Sequence, residues 1–231
     1  AGPDLLPEIA KLTALTHLDL DTVRFGDREV RALAPLTNLR TLIARAATFT
    51  NAGAALLAKQ FPNLRELRIN ARRLTGPGFE ALSALTNLEV LDLGHATDRA
   101  VRALAPLSRL RHLELTGTAV TGAGVEQFPR LEHLNLEYAQ ATDAGLAGLA
   151  ALERLRVLEV DGTPVTGALL PRLAGLRWLE VLGLSDCAVR DRDLVHLEGL
   201  KRLGVLTLSG TKVTKNGRAS LQKRIKGLSI M

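Results

Sequence analysis

The sequence predicts an α/β fold: a right-handed solenoid with about nine parallel strands on its concave face and short helices on its convex face. One observation is that the pattern Leu-x-x-Leu-x-Leu, with conservative replacements, occurs nine times, mostly 24 residues apart. A second is that hydrophobic residues spaced three apart lead into each copy, which suits the buried stripe of a short helix. No such unit can bury its own stripe, so neighbouring units must stack. The copies begin at Leu15, Leu39, Leu64, Leu88, Leu110, Leu131, Leu155, Leu179 and Leu203.

The unit that begins at Leu131 shows how one repeat is built. Hydrophobic residues alternate around Leu134 and Leu136, which is the period of a strand. Thr142 precedes the next hydrophobic stripe and can accept a backbone N–H bond as the N-cap of a helix. Asp143 then lies at the positive end of that helix. The stripe itself is Leu146, Leu149 and Leu152. Each repeat is therefore expected to form strand, loop, helix and loop in turn.

The fifth repeat is shorter than the others. Only 21 residues separate Leu110 from Leu131, and the helical stripe loses one Leu-x-x step after Val125. Three missing residues remove most of a helical turn. We therefore expect little or no regular helix at residues 125–130.

These motifs resemble the leucine-rich-repeat family over nearly the whole chain. The Thr-Asp-Ala-Gly-Leu segment that begins at Thr142 is similar to bacterial, planctomycete-type repeats with the pattern LxxLxLxxTxVTxxGLxxL. The family usually has Asn or Cys three residues after the last strand leucine, where this chain has Thr118, Thr163, Cys187 and Thr211. The asparagine ladder is thus absent, and we expect threonine hydroxyls to replace it in part. The resemblance implies a non-enzymatic binding scaffold without cofactors.

The composition indicates one domain over residues 1–231. Hydrophobic residues make up 46% of the chain, and no Pro-, Ser- or Gly-rich linker divides it. We assign 1–14 to a partial N-terminal repeat or cap, 15–211 to the nine repeats and 212–231 to a C-terminal cap. The single cysteine, Cys187, cannot form a disulfide within the chain, which favours a reducing compartment and a cytoplasmic location. No apolar run approaches the ~20 residues of a membrane span.

The charge pattern bears on the class of partner. A net charge of +6 favours an anionic partner such as nucleic acid. However, the charge of the residue at the second position of each repeat mostly alternates in sign along the stack. Opposite charges on adjacent strands attract. Aromatic residues are only 3% of the chain, so bases would find few stacking platforms. The alternating series is Arg40, Arg65, Glu89, Arg111, Glu132, Arg156 and Glu180.

The candidate binding residues are the outward side chains of the strands and the two positions after each strand. From the N-terminal to the C-terminal repeats, these side chains are first mixed and basic, then acidic and rich in histidine. In the last two repeats they are small and neutral. Tyr138 stands out because other repeats have glycine in its position, so the fold does not require a large ring there. We expect Tyr138 to anchor a partner, with carboxylates selecting a basic or polar segment. The full set is Arg45, Arg68, Asp92, His95, His112, Glu114, His133, Asn135, Glu137, Tyr138, Glu159 and Asp161.

Two histidines raise the question of a metal site. His112 and His133 occupy equivalent positions in adjacent repeats, about 5 Å apart by strand spacing. Zinc takes histidine and carboxylate ligands, and Glu114 lies nearby. Because the side chains of a sheet project in parallel, we expect no metal site. The sequence likewise contains no paired nucleophile and base, no phosphate-binding glycine loop and no Cys/His cluster, so we expect no catalytic site.

Trp178, the only tryptophan, occupies a position that is almost always polar in the other repeats. It is therefore expected at an exposed rim, either as an interface residue or lying beside arginine side chains.

The function predicted from the sequence is protein or peptide recognition through the concave face. Two alternatives stay open: binding of nucleic acid or another polyanion through arginines, and service as a recognition module within a larger signalling protein or enzyme. The sequence does not predict the oligomeric state.

Overall fold

The structure, a computed structural model, describes residues 5–231. Residues 1–4 of the segment expected to form the N-terminal cap lie outside that range. The chain divides into two compact units, the first ending at Leu110 and the second comprising Arg111–Met231. In both units each repeat contributes one strand, and neighbouring strands of a unit pair in parallel.

The first unit contains four strands and five α-helices among its described residues. Its strands pair one after another in chain order, each residue facing the equivalent residue of the next repeat. The strands are β1 (His17–Asp19), β2 (Thr41–Ala44), β3 (Glu66–Asn70) and β4 (Val90–Gly94). The helices are α1 (Leu6–Ile9), α2 (Asp27–Ala32), α3 (Asn51–Gln60), α4 (Gly76–Leu82) and α5 (Asp98–Ala103).

The second unit contains six parallel strands, and most of its helical segments are 3₁₀-helices. The strands are β5 (His112–Glu114), β6 (His133–Asn135), β7 (Val157–Glu159), β8 (Val181–Gly183), β9 (Val205–Thr207) and β10 (Ser229–Ile230). The 3₁₀-helices are Val125–Gln127, Leu149–Ala151, Gly167–Gly175 and Asp191–Leu197, followed by the α-helix α6 (Lys215–Arg224). All nine predicted strands are confirmed, and β10 is an additional strand inside the segment assigned to the C-terminal cap.

The helical segments of the second unit mostly wind more tightly than those of the first. A leucine spacing of three occurs in both units and matches the three residues per turn of a 3₁₀-helix. Glycine and proline do not account for the difference, since Gly76, Pro77 and Gly78 lie in the α-helix α4. In the fifth repeat a single 3₁₀ turn at Val125–Gln127 is the whole helical segment, which confirms the prediction of little regular helix there.

The core consists of the repeat leucines. Leu113, Leu134 and Leu158 each occupy the middle of a strand and are at most 1% exposed. The residues on either side of these leucines point away from the core and are mostly partly exposed, as in the pattern of β5 and β7. This alternation places the candidate binding residues on the side of the sheet opposite the helical segments.

The junctions between repeats are built from side chains that cap the neighbouring repeat. The Thr142 hydroxyl accepts the Gly145 N–H at 3.0 Å, but the residues that follow form turns, and the 3₁₀-helix Leu149–Ala151 has Gly148 as its N-cap, so the prediction of Thr142 as a helix N-cap is wrong. Asp143 does more than lie at the start of its segment: its carboxylate accepts the N–H and the hydroxyl of Thr166 in the next repeat, at 3.0 and 2.6 Å. Equivalent pairs are Asp27 with Thr50, Asn51 with Thr75 and Asp191 with Thr214.

Glycine makes room for three of these junctions. A Cβ at Gly53 would lie 2.2 Å from Asp27 Oδ1, and one at Gly217 would lie 2.2 Å from Asp191 Oδ1. Gly78 is placed in the same way against Asn51. Glycine three residues after the threonine thus leaves room for the side chain that crosses from the previous repeat, whereas the Asp143–Thr166 junction has Leu169 in that position.

The buried threonines do not form a ladder between repeats. The hydroxyls of Thr118 and Thr163 donate to carbonyls three residues earlier in their own repeats, at 2.7 and 2.6 Å. Cys187 does reach the preceding repeat, where its thiol donates to the Val160 carbonyl at 3.2 Å. The threonine hydroxyls that stand in place of the asparagines thus form their hydrogen bonds within their own repeats.

The helices of residues 5–231 are all too short or too polar to span a membrane.

Candidate binding face

The outward side of the second-unit sheet carries most of the candidate residues. We call it the strand face and define it by His112, Glu114, His133, Glu137, Tyr138 and Glu159. Strands β5, β6 and β7 pair in register, so His112 faces His133 and Asn135 faces Glu159 across neighbouring strands. The structure therefore brings together the histidines and carboxylates that the sequence placed at equivalent repeat positions.

The two histidine rings stack on each other. The ring centroids of His112 and His133 are 4.0 Å apart, and the ring planes differ by 15°. His112 Nε2 lies 3.5 Å from Glu114 Oε2, and His133 Nε2 lies 3.1 Å from Glu159 Oε2. The Thr116 hydroxyl donates to the other oxygen of Glu114 at 2.6 Å. Each imidazole thus has a carboxylate partner, and one carboxylate is itself held by a hydroxyl.

Two carboxylates of the strand face have imidazole partners, but none has a lysine or arginine partner among the described residues. Among the described residues, no lysine or arginine forms an ion pair with Glu114, Glu137 or Glu159. Burial, and then repulsion from nearby carboxylates including Glu159 and Asp161, raises the pKa of Glu137. Burial also opposes ionisation of Glu114, but hydrogen bonds from His112 and Thr116 outweigh it and lower the pKa of that carboxyl. The strand face therefore carries carboxylates that no lysine or arginine of the described residues neutralises.

Tyr138 has an unusual backbone conformation for its residue type. Its φ is 55°, in the left-handed region that disfavours residues other than glycine. Gly162 and Gly210, in the same position of other repeats, have φ values of 67° and 69°. The tyrosine side chain is 63% exposed and lies over Gly162, where a Cβ would be 2.5 Å from Tyr138 Cδ1. A large aromatic ring is thus displayed at a position whose backbone favours glycine.

Asn135 and Asp161 are less accessible than their place on the strands suggested. They are only 8% and 9% exposed. Asn135 Oδ1 accepts the Glu137 N–H at 2.7 Å, and Asp161 accepts the Ser185 N–H at 2.7 Å and the Thr207 hydroxyl at 2.6 Å. These two side chains form hydrogen bonds to the backbone and to neighbouring repeats. They therefore stabilise the strand face and are not free to contact a partner.

The two arginines among the candidate residues of the first unit, Arg45 and Arg68, are engaged in ion pairs. Arg45 donates through Nε to Asp92 at 2.9 Å and through Nη1 to Asp21 at 3.1 Å. Burial opposes the charge of Arg45, but the two aspartates outweigh it and raise the pKa of the guanidinium. Arg68 donates to Glu66 at 2.6 Å. His95 is exposed and has φ 62°, the same left-handed conformation as Tyr138.

Trp178 lies at an exposed rim, as its sequence position predicted. It is 48% exposed, and the Arg202 guanidinium carbon lies 3.9 Å from the centroid of its ring. The charged residues predicted to alternate in sign form ion pairs between adjacent repeats. All of these side chains are at least partly exposed. The pairs are Arg65 with Glu89, Arg111 with Glu132 and Arg156 with Glu180, at 3.4, 2.8 and 2.9 Å. These arginines are therefore neutralised locally.

Two features of the site were not identified from the sequence. Thr116, which positions Glu114, follows the strand and has no distinctive pattern around it. Asp186 has φ 57° and completes a set of three residues other than glycine in the left-handed position after a strand, with His95 and Tyr138. The aligned glycines at 117, 162 and 210 are the signal that could have identified this set.

Comparison with known proteins identifies the fold. The sequence matches no protein-family model, and no curated protein is similar enough to count as a relative. Among solved structures, an internalin (InlF) of Listeria monocytogenes has a TM-score of 0.62 and 19% identity, covering 97% of this chain and 75% of that chain. The Arabidopsis receptor kinase HAESA, solved with the peptide hormone IDA and the co-receptor SERK1, has a TM-score of 0.67 and 17% identity.

The plant receptors extend well beyond the matched region. HAESA is covered over 36% of its chain and this protein over 90%. The plant peptide hormone receptor RGFR1, solved in complex with RGF2, has a TM-score of 0.58 and 16% identity, with 85% of this chain and 32% of that chain covered. At these identities the likeness shows the fold alone, an α/β solenoid of the leucine-rich-repeat type.

Proposed function

We propose that this protein binds a protein or peptide across the strand face, with Tyr138 as the anchor and a basic or polar segment of the partner against the carboxylates. The observation that carries the proposal is Tyr138, a ring 63% exposed on a left-handed backbone. Such a conformation costs about 1–2 kcal/mol for a residue other than glycine. Tyrosine offers a large contact area and is enriched among residues that dominate binding energy.

The charge of the strand face supports the basic partner. Elsewhere in the chain, carboxylates such as Glu89, Glu132 and Glu180 already have arginine partners. Glu114, Glu137 and Glu159 have none among the described residues. A lysine or arginine from a partner would complete these pairs, and complementary charge contributes to specificity and association rate.

The solved structures with this fold support a peptide as the partner class. HAESA and RGFR1 were each solved with a peptide ligand, the hormones IDA and RGF2. The proposed role is binding rather than catalysis. We also place the protein in the cytoplasm, where its single cysteine stays reduced. Burial raises the pKa of the Cys187 thiol, which suits an unreactive structural residue.

The test is to immobilise the full chain and present a library of short peptides of graded charge, with duplex DNA and heparin as polyanions. We expect retention of peptides with lysine or arginine next to an apolar residue. Tyr138→Ala and Glu114→Lys should each weaken binding of the best peptide by at least ~1 kcal/mol, or about fivefold, as expected for interface residues of importance. Glu153→Lys, a charge reversal at an exposed residue away from the strands, is the matched control.

The same experiment distinguishes other surfaces. Glu153 and Trp178 line one surface pocket at the rim. Loss of binding in Trp178→Ala or Glu153→Lys, with Tyr138→Ala unchanged, would move the binding surface to that rim. Retention of DNA or heparin in preference to basic peptides, with steep weakening by salt, would replace the proposal with polyanion binding.

A further inference from the structure

Three potential metal ligands converge on strands β5 and β6. His112 and Glu114 are two residues apart on one strand, so their side chains point to the same side of the sheet. His133 is the residue directly paired with His112 on the next strand. The ligand atoms of these three side chains all lie within 4.8 Å of one another. Parallel projection from a sheet, which led us to expect no metal site, has thus brought the donors together.

One of the separations is close to that of a zinc centre. Zinc bonds to histidine nitrogen at about 2.0–2.1 Å and to carboxylate oxygen at about 2.0–2.2 Å, usually in a tetrahedron. Two ligands of such a tetrahedron are then roughly 3.4 Å apart. The separation of His112 Nε2 from Glu114 Oε2 is 3.5 Å, and all the ligand atoms lie within 4.8 Å of one another. Bringing them together requires the two stacked imidazoles to tilt toward each other and His133 Nε2 to leave Glu159, and both histidines are partly exposed.

The surroundings of the three ligands favour a cation. The Thr116 hydroxyl fixes one oxygen of Glu114 at 2.6 Å and leaves the other directed at His112. Such outer contacts orient ligands and strengthen metal binding. Glu159 adds a second carboxylate 3.1 Å from His133 Nε2. No described lysine or arginine forms an ion pair with either carboxylate, so a bound cation would meet no competing charge from such a pair.

We infer that His112, Glu114 and His133 form a binding site for Zn²⁺ on the strand face, with the fourth coordination position open. Two imidazole donors favour zinc and similar transition metals over magnesium and calcium, which prefer oxygen ligands. Three protein ligands with an open position leave room for water or for a side chain of a bound partner. The site does not depend on the proposed peptide binding, because the ligands all belong to this chain.

The experiment is a calorimetric titration of the metal-free full chain with Zn²⁺ alone, repeated with Mg²⁺. We expect one Zn²⁺ per chain and no binding of Mg²⁺ at the same concentrations. His112→Asn and His133→Asn should each weaken Zn²⁺ binding by more than the ~10–100-fold that loss of an outer contact costs. Glu114→Gln, which keeps the shape of the side chain, should also weaken it. His196→Gln is the matched control, since His196 is exposed on the 3₁₀-helix Asp191–Leu197.

A spectroscopic readout keeps the test independent of folding. Co²⁺ substituted for Zn²⁺ should give the visible absorption of a four-coordinate ion, and that absorption should disappear in Glu114→Gln while circular dichroism stays unchanged. Absence of a Zn²⁺ binding event, or equal loss of binding in His196→Gln, would overturn the inference. Binding that survives in both His112→Asn and His133→Asn would overturn it as well. None of these results affects the peptide-binding test, which is run in a chelating buffer.

Discussion

Two parts of the second unit share one scaffold and differ in the surface they display. Strands β6, β7, β8 and β9 pair in the same register, and the central leucines of all four are fully buried. In that register His133 aligns with Val157, Val181 and Val205, and Glu159 aligns with Gly183 and Thr207. The backbone therefore accepts valine, glycine or threonine at positions where β5 and β6 carry histidine and β5 and β7 carry glutamate.

This difference distinguishes the residues that the fold requires from the surface residues that it does not require. The leucines are common to every repeat because each one fills the space between two neighbours. Within the second unit, strand histidines and glutamates lie only on β5, β6 and β7, and Tyr138 follows β6, in a pattern that packing does not explain. The comparison predicts equal effects of core substitutions in the two regions and unequal effects of surface ones.

The largest effect should come from the shared core. Leu134→Ala under the charged surface and Leu206→Ala under the neutral one remove the same fully buried side chain. Each should lower the free energy of unfolding by about 2–5 kcal/mol, measured by urea denaturation. Similar losses would confirm that the two regions have one scaffold. A loss below about 1 kcal/mol at either position would show that its repeat is packed differently.

An intermediate effect should come from the left-handed positions. Tyr138→Gly should be more stable than Tyr138→Ala by about 1 kcal/mol, because only glycine adopts φ near 55° without strain. Both variants lack the ring, so both should lose binding equally. Thermal and urea unfolding of the two variants measure the first difference, and peptide titration tests the second.

A pair of glycines provides the control for this strain. Gly117→Ala places a Cβ in open space at φ 65°, so it should cost about 1 kcal/mol through backbone conformation alone. Gly175 also faces open space but does not have a positive φ, and Gly175→Ala should be neutral or slightly stabilising. Equal effects at Gly117 and Gly175 would contradict the assignment of strain to Tyr138.

The smallest effect concerns pH. Burial and repulsion raise the pKa of Glu137 in the folded state, so this residue favours folding below its unfolded pKa and loses that contribution as pH rises through the folded value. Glu137→Gln should therefore raise stability at neutral pH, by less than about 1 kcal/mol because the group is partly exposed. The gain should vanish in acid, below the ordinary glutamate pKa of about 4.3.

Glu114 should show the opposite sign. Burial works against its ionisation, but hydrogen bonds from His112 and Thr116 lower its pKa on balance. Its stabilising contribution is present above the unfolded pKa and is lost as pH falls through the folded one. Glu114→Gln should thus lower stability at neutral pH in a chelating buffer. Urea unfolding across the pH range measures both variants, and the same sign for both would contradict the description of this surface.

The strand positions and the core followed from the sequence because they depend on periodicity. The nine predicted strands begin two residues after their first leucine in every case. The exposed rim position of Trp178 was also predictable, since other repeats place polar residues there. Features that repeat along the chain can be inferred by comparing one repeat with another.

Other features depend on contacts that no single repeat contains. The burial of Asp161 results from its bonds to Ser185 and Thr207 in later repeats, which sequence spacing alone does not specify. The stacking of His112 on His133 fixes a side-chain geometry, whereas the sequence gives only their strand positions. The choice between α- and 3₁₀-helix has no signal in the leucine spacing, and glycine and proline occur in helices of both kinds.

The junctions between repeats limit how such a chain can be rearranged. Several junctions take an acidic or amide side chain from one repeat and a threonine from the next, as with Asp143 and Thr166. Removal of whole repeats preserves this fit where the rejoined ends again bring such a side chain to a threonine. Removal of part of a repeat leaves an unmatched carboxylate or an uncapped helical segment. Gene duplications and deletions that survive in such a protein should therefore come in lengths of one full repeat, cut at any point in the cycle.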